Sequence, residues 1–139
     1  MDHRFSYFRK PVNALLLLVL LILTGLVLSE ARAQSMAKAA KGQKIFFKVC
    51  VQCHTLQEKD QLSGPGLAGV LDRVPSEEWL MNYLENPEGM LENGNAYAQQ
   101  ISGDYPLGMP RLKVMQDASN REAVLAFLKQ MRQQNMASQ

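Results

Sequence analysis

Cys50-Val51-Gln52-Cys53-His54 is the most informative stretch of this sequence, because it gathers reactive side chains into five residues. It holds both cysteines of the 139-residue chain and one of its two histidines. Two cysteines at this spacing can form a disulfide, act as a thioredoxin-like redox couple or supply half of a zinc site. When a histidine follows directly, the spacing is also the signature of covalent haem attachment. The rest of the sequence decides among these four sites.

The surrounding sequence favours haem attachment. A thioredoxin-like couple needs a strand followed by a helix, and no strand pattern is present in the sequence. A zinc site needs four ligands, and the other histidine, His3, lies in an N-terminal segment that we expect to be removed. At a helix end, the motif brings Cys50 and Cys53 to the two vinyl groups of one haem and leaves the His54 imidazole beneath the iron. We therefore predict one covalent haem c with His54 as an iron ligand.

A second iron ligand must come from residues 34–139, where His54 is the only histidine. Methionine is the natural candidate, because the Met/His pair is the electron-transfer arrangement of cytochromes c. Most methionines are core residues, so each candidate needs a specific reason. Met109 has one, since Gly108-Met109-Pro110 lies in a segment that we expect to be irregular and able to present a side chain to a cofactor. Met115 is the second choice.

The N-terminal 33 residues have the three parts of a secretory signal peptide. A basic start is followed by the aliphatic run 14–28 and by the small-residue site Ala31-Arg32-Ala33. An uncleaved membrane anchor is the alternative, although a span needs about 20 apolar residues. We predict cleavage after Ala33, a haem domain at 34–139 and a periplasmic location, with tethering to the membrane if the segment is retained.

Composition and charge exclude several classes of protein. The whole chain has a formal net charge of +2, and residues 34–139 hold 11 basic and 11 acidic residues, which gives zero. With no basic run, nothing in the sequence points to nucleic acid. Two cysteines allow at most one disulfide, so the chain is not a disulfide-stapled mini-protein.

Hydrophobic periodicity predicts three main helices joined by long loops. The first covers 37–50, the second follows Ser76 and is ended by Asn86-Pro87, and the third covers 119–131. Residues 88–110 are rich in glycine and proline and are predicted to be largely irregular. The predicted fold class is therefore all-α, with three main helices and long loops wrapped round one haem.

Four motifs together resemble those of one family. Gly42 and Phe46 match the Gly-x-x-x-Phe lead into the family's haem motif, and Gly64-Pro65-Gly66-Leu67 matches the Gly-Pro-x-Leu that follows it. Residues 80–87 and 121–128 resemble its last two helices. Over 40–131 the chain thus resembles a class I c-type cytochrome, the group of mitochondrial cytochrome c and many bacterial periplasmic monohaem cytochromes.

The resemblance implies further roles around the haem. It makes the Pro65 carbonyl the acceptor for the Nδ1 proton of His54, which would fix the orientation of the ring. It places Arg73 near a haem propionate and Tyr83 beside the sulfur of the axial methionine. It also implies that the final helix crosses the first one against Gly42 and Phe46.

One departure from the family concerns the segment before Met109. Pro87 and Met109 are 22 positions apart, more than in the mitochondrial proteins, so residues 86–107 hold an insertion. We expect this insertion to pack over the haem edge or to form a docking surface.

The expected function is the transfer of one electron, without catalysis and without a small-molecule substrate. A His/Met haem has no open coordination position, so binding of a substrate at iron is disfavoured. The expected partners are redox proteins that donate or accept electrons, with membrane respiratory complexes among them. Two alternatives remain: a haem subunit of a larger respiratory or sulfur-compound-oxidising complex, and an open-site haem enzyme or gas-binding protein.

Overall fold

The computed structural model describes residues 9–57, 62–105 and 107–137, with side chains from residue 14 onward. Within these residues the chain forms helices and no strand, which confirms the predicted all-α class. The helices are α1 (Arg9–Val49), α2 (Val70–Arg73), α3 (Glu77–Glu85), α4 (Pro87–Glu92), α5 (Ala96–Asp104) and α6 (Ala118–Ala137). Two 3₁₀ turns cover Cys50–Gln52 and Lys113–Gln116. The chain separates into two compact units after Met36.

The described part of the first unit, residues 9–36, is the N-terminal part of α1. It is long and apolar enough to cross a membrane, a property that signal sequences near the N-terminus share. Its aliphatic side chains are exposed, with Leu21 at 72% and Leu28 at 70%. Such a segment is consistent with a signal or an anchor, and cleavage after Ala33 stays a prediction.

The second unit is organised around α3 and α6. The Ser76 hydroxyl accepts a hydrogen bond from the Trp79 amide at 3.0 Å, which satisfies one of the free N–H groups at the start of α3. Helix α3 ends at Glu85, directly before Asn86-Pro87 as predicted. Its buried side chains pack with residues of α5 and α6 in one core; the core residues are Trp79, Leu80, Leu84, Ala98, Met115, Val124 and Leu128.

Helices α1 and α6 cross at Gly42, as the resemblance implies. A Cβ atom on Gly42 would clash with the Ala123 backbone and lie 2.9 Å from the Val124 nitrogen. The absence of a side chain therefore lets the two helices approach closely. One turn further along α1, the ring centroids of Phe46 and Phe127 lie 5.7 Å apart, so the two rings pack together beside the crossing.

The prediction of an irregular segment over 88–110 is wrong, because α4 and α5 lie within it. Each helix begins with an asparagine cap. The prediction rested on the number of glycines and prolines and did not take these caps into account. The Asn86 side chain accepts from the Gly89 amide at 3.2 Å, and the Asn95 side chain accepts from the Ala98 amide at 3.1 Å. Short polar side chains at these positions satisfy backbone donors and offset the weak helix propensity of the glycines.

Candidate functional site

The cysteine motif lies where α1 ends. The amides of Cys53 and His54 both donate to the Cys50 carbonyl, at 3.1 and 2.9 Å, so the chain folds into one tight turn. Both cysteines and the histidine are half-buried, and the two thiols are free. Burial, with a smaller contribution from Cys53, raises the pKa of the Cys50 thiol to about 11. One turn of backbone thus presents two thiols and an imidazole together.

This turn forms part of the wall of a cavity of about 620 Å³. That volume lies within the range of about 300–1,000 Å³ typical of cofactor and ligand pockets. The cavity is lined by every residue for which the sequence predicts a site role, namely Cys50, Cys53, His54, Pro65, Arg73, Tyr83 and Met109. Residues that are far apart in sequence are therefore gathered around one space.

The orientation of His54 is set by the loop that follows it. Its Nδ1 atom lies 2.8 Å from the Pro65 carbonyl oxygen, the contact that the resemblance implies. Because Nδ1 is engaged, Nε2 is the ring nitrogen left to bind a metal. A Cβ atom on Gly64 would lie 2.6 Å from Cε1 of the imidazole and 2.9 Å from Nδ1. Because Gly64 has no side chain, the backbone can pass this close to the imidazole ring of His54.

Arg73 holds the loop between His54 and α2. Its Nη1 donates to the Ala68 carbonyl and its Nη2 to the Gly66 carbonyl, both at 2.6 Å. A guanidinium has five N–H donors, so these two bonds leave others for an anionic group in the cavity. The predicted contact with a propionate stays a prediction.

Sequence reasoning missed an aromatic cluster beside Tyr83. The Trp79 ring stacks on Tyr83 with centroids 4.8 Å apart and meets Tyr97 edge-on at 5.0 Å. The Asn95 side chain that caps α5 also accepts from the Trp79 indole at 3.0 Å. Trp79 lies one helical turn before Tyr83, and this spacing is the signal that would have revealed the pair. Burial raises the pKa of Tyr83, so its hydroxyl keeps its proton and remains a donor.

The structure separates the two candidate methionines. Met109 is half-buried and lines the cavity. Met115 is 1% exposed, belongs to the packed core and is not part of the cavity wall. Gly108, with a φ of 63°, adopts the left-handed conformation that favours glycine and precedes Met109 directly.

The insertion before Met109 forms one wall of the cavity. Six residues of this segment line it: Tyr97, Gln100, Ile101, Ser102, Asp104 and Tyr105. The structure therefore supports the expectation that the insertion packs at the cavity, rather than the expectation of a docking surface.

The side chains around the cavity fit a covalent haem better than the alternatives. Two thiols, one oriented imidazole and one thioether share an enclosing, largely apolar wall. Where the structure describes the chain, no three side chains of the types His, Cys, Asp or Glu converge in a metal-binding group, so the zinc alternative has no support there.

Comparison with known proteins agrees with this arrangement. A family model described as cytochrome c matches residues 39–132. Cytochrome c from Rhodothermus marinus has 25% identity and a TM-score of 0.63, over 71% of this chain and 80% of that one. An engineered form of that protein, bound to a carbene intermediate, has 27% identity and a TM-score of 0.58, over 70% and 80%. A further engineered form has 26% identity and a TM-score of 0.60, over the same shares.

Proposed function

The chain belongs to the cytochrome c family and carries a covalently bound haem c, and from this premise we propose that it is a one-electron carrier with His54 and Met109 as iron ligands. The observation that carries this proposal is the position of Met109. It lines the same cavity as His54, whereas Met115 is packed into the core. With His54 and Met109 both bound to it, the iron would have no open position for a substrate.

The bound haem supplies an iron that takes up and releases one electron. The protein's own residues hold and tune the group. Cys50 and Cys53 attach it covalently, and the Pro65 carbonyl keeps the His54 ring in one orientation and raises its basicity as a ligand. Arg73 would present a guanidinium at the cavity wall, and the largely apolar wall would limit the access of water to the group.

The proposed location is the periplasm, either as a free carrier or tethered by an uncleaved N-terminal segment. The apolar helix before Met36 supports export or anchoring. The partners that we propose are redox proteins, with membrane respiratory complexes among them. Cross-linking of the haem-loaded protein in native membranes, followed by mass spectrometry, identifies them.

Spectroelectrochemical titration of the haem-loaded protein tests the proposed function. The expected result is a reversible transition that fits one electron, with a ferrous form that does not bind carbon monoxide. A ferrous protein that binds carbon monoxide rapidly would contradict the proposal and favour the alternative of an open-site enzyme or gas-binding protein. Comparison with Met109→Ala provides the positive control for an open site.

A further inference from the structure

The segment that follows Met109 is tied to the end of α3 through two side chains. The Arg111 guanidinium donates to the Gln116 side-chain oxygen from Nε at 3.2 Å and from Nη2 at 2.8 Å. The Gln116 side-chain nitrogen donates in turn to the Glu85 main-chain carbonyl at 2.8 Å and to the Leu112 carbonyl at 3.3 Å. Glu85 is the last residue of α3, where carbonyl groups have no partner within the helix. Gln116 therefore connects Arg111 to an otherwise unsatisfied helix end.

The end of α3 is a firm anchor point because Arg121 holds it separately. The buried Arg121 side chain forms an ion pair with the Glu85 carboxylate at 2.9 Å and donates to the Met115 carbonyl at 2.6 Å. These contacts do not involve the Gln116 side chain. Loss of Gln116 would thus release Arg111 while leaving the anchor in place.

The methionine segment, defined here as residues 107–112, depends on such a tether. Leu107 is 82% exposed, and Gly108, Pro110 and Arg111 are exposed as well. Only Met109 and Leu112 of this segment are half-buried and pack against the core, so the segment has few other contacts that oppose its opening. Pro110 lies between Met109 and Arg111, and its restricted φ angle removes one of the backbone rotations through which the two residues could move independently.

We propose that Arg111 and Gln116 form a latch that holds the methionine segment closed and thereby limits how often Met109 leaves the iron. The inference rests on the proposed function, because it takes Met109 as the axial ligand. Arg111 and Gln116 are positioning residues, since they act through the backbone of the methionine segment. The latch controls ligand exchange at the iron without contributing an iron ligand.

Imidazole exchange on the ferric, haem-loaded protein measures the latch directly, because imidazole binds only after Met109 has left. Gln116→Ala and Arg111→Ala are each expected to accelerate binding about threefold to tenfold, the range set by the net contribution of a solvent-exposed hydrogen bond. The double variant should be no faster than the single variants, because the two residues act as one unit. Gln116→Glu keeps an acceptor for Arg111 and loses the donor to the Glu85 and Leu112 carbonyls, so it should be as fast as Gln116→Ala.

Gln133→Ala is the matched control, since it removes an exposed glutamine from α6. It should exchange imidazole at the wild-type rate, and thermal unfolding should show that Gln116→Ala loses no more stability, relative to this control, than its rate change of about threefold to tenfold represents. A wild-type rate for Gln116→Ala, or additive effects of Arg111→Ala and Gln116→Ala, would overturn the latch and leave the proposed function intact. A wild-type ferric protein without methionine ligation would overturn both.

Discussion

Gly64 is the residue at which the backbone comes closest to the His54 imidazole. Its amide donates to the Cys53 carbonyl at 2.9 Å, which fixes the loop against the cysteine motif. The sequence predicts this contact only through the match of Gly64-Pro65 to the family motif. No periodicity or composition reveals that a Cβ atom here would meet a ring, since this depends on a contact between residues ten positions apart in the sequence.

Replacement of this residue tests the support of the imidazole. In Gly64→Ala, the new Cβ would lie 2.6 Å from Cε1 of His54, so the ring must move away from the Pro65 carbonyl. We expect the free energy of unfolding of the haem-loaded protein to fall by about 1–3 kcal/mol, the usual cost of overpacking. The reduction potential should rise, because an imidazole without its acceptor is a weaker donor to iron.

Chemical denaturation and potentiometric titration measure these two effects. Gly103→Ala is the control, because among the described residues no atom lies within 4 Å of its added Cβ. Wild-type values of both quantities for Gly64→Ala would show that the ring does not depend on this close approach.

The sequence alone reveals that the residues of the cysteine motif lie together, but it does not reveal the aromatic cluster. Cys50, Cys53 and His54 lie within one turn, so their juxtaposition is local and visible in the sequence. Trp79 meets Tyr97 only after α5 has folded back onto α3. Contacts of that kind depend on tertiary packing that a single sequence does not display.

At the scale of the elements, the crossing of α1 and α6 depends on Gly42. Ala in place of Gly raises helix propensity by about 1 kcal/mol. In Gly42→Ala this gain is opposed by a clash with the Ala123 backbone, which a side-chain rotation cannot relieve. Because overpacking costs about 1–3 kcal/mol and a backbone neighbour yields little, we expect net destabilisation.

Urea denaturation of the haem-loaded protein measures this prediction. Gly103→Ala, in the last turn of α5, makes the same substitution with no clash among the described residues, so it should be neutral or slightly stabilising. Equal midpoints for Gly42→Ala and Gly103→Ala would contradict the close crossing.

The helices of the second unit were predictable to different degrees. Helix α3 was evident from Ser76, its acidic first turn and the terminating Asn86-Pro87. Helices α4 and α5 were not, because glycine and proline counts dominated the prediction for 88–110. Asn86 is both the C-cap of α3 and the N-cap of α4. A rule that reads Asn-Pro only as the end of a helix does not predict that a second helix begins there.

At the scale of the whole molecule, the N-terminal unit decides whether the carrier diffuses or stays attached to a membrane. If the signal is cleaved after Ala33, the N-terminus of the purified protein should be Gln34 and the protein should be recovered in the soluble periplasmic fraction. N-terminal sequencing and fractionation measure this. Peptides from residues 14–28 in membrane-bound protein would show that the segment is retained as an anchor.

The absorption spectrum of the ferric, haem-loaded protein tests the central claim, His54 and Met109 ligation, most directly. A thioether bound to ferric iron gives a weak band near the red end of the visible spectrum. We predict this band in the wild type, its loss in Met109→Ala together with a lower reduction potential, and its retention in Met115→Ala. Met115→Ala should lose only stability, by about 2–5 kcal/mol for a buried methionine. A band that disappears in Met115→Ala but persists in Met109→Ala would contradict the account.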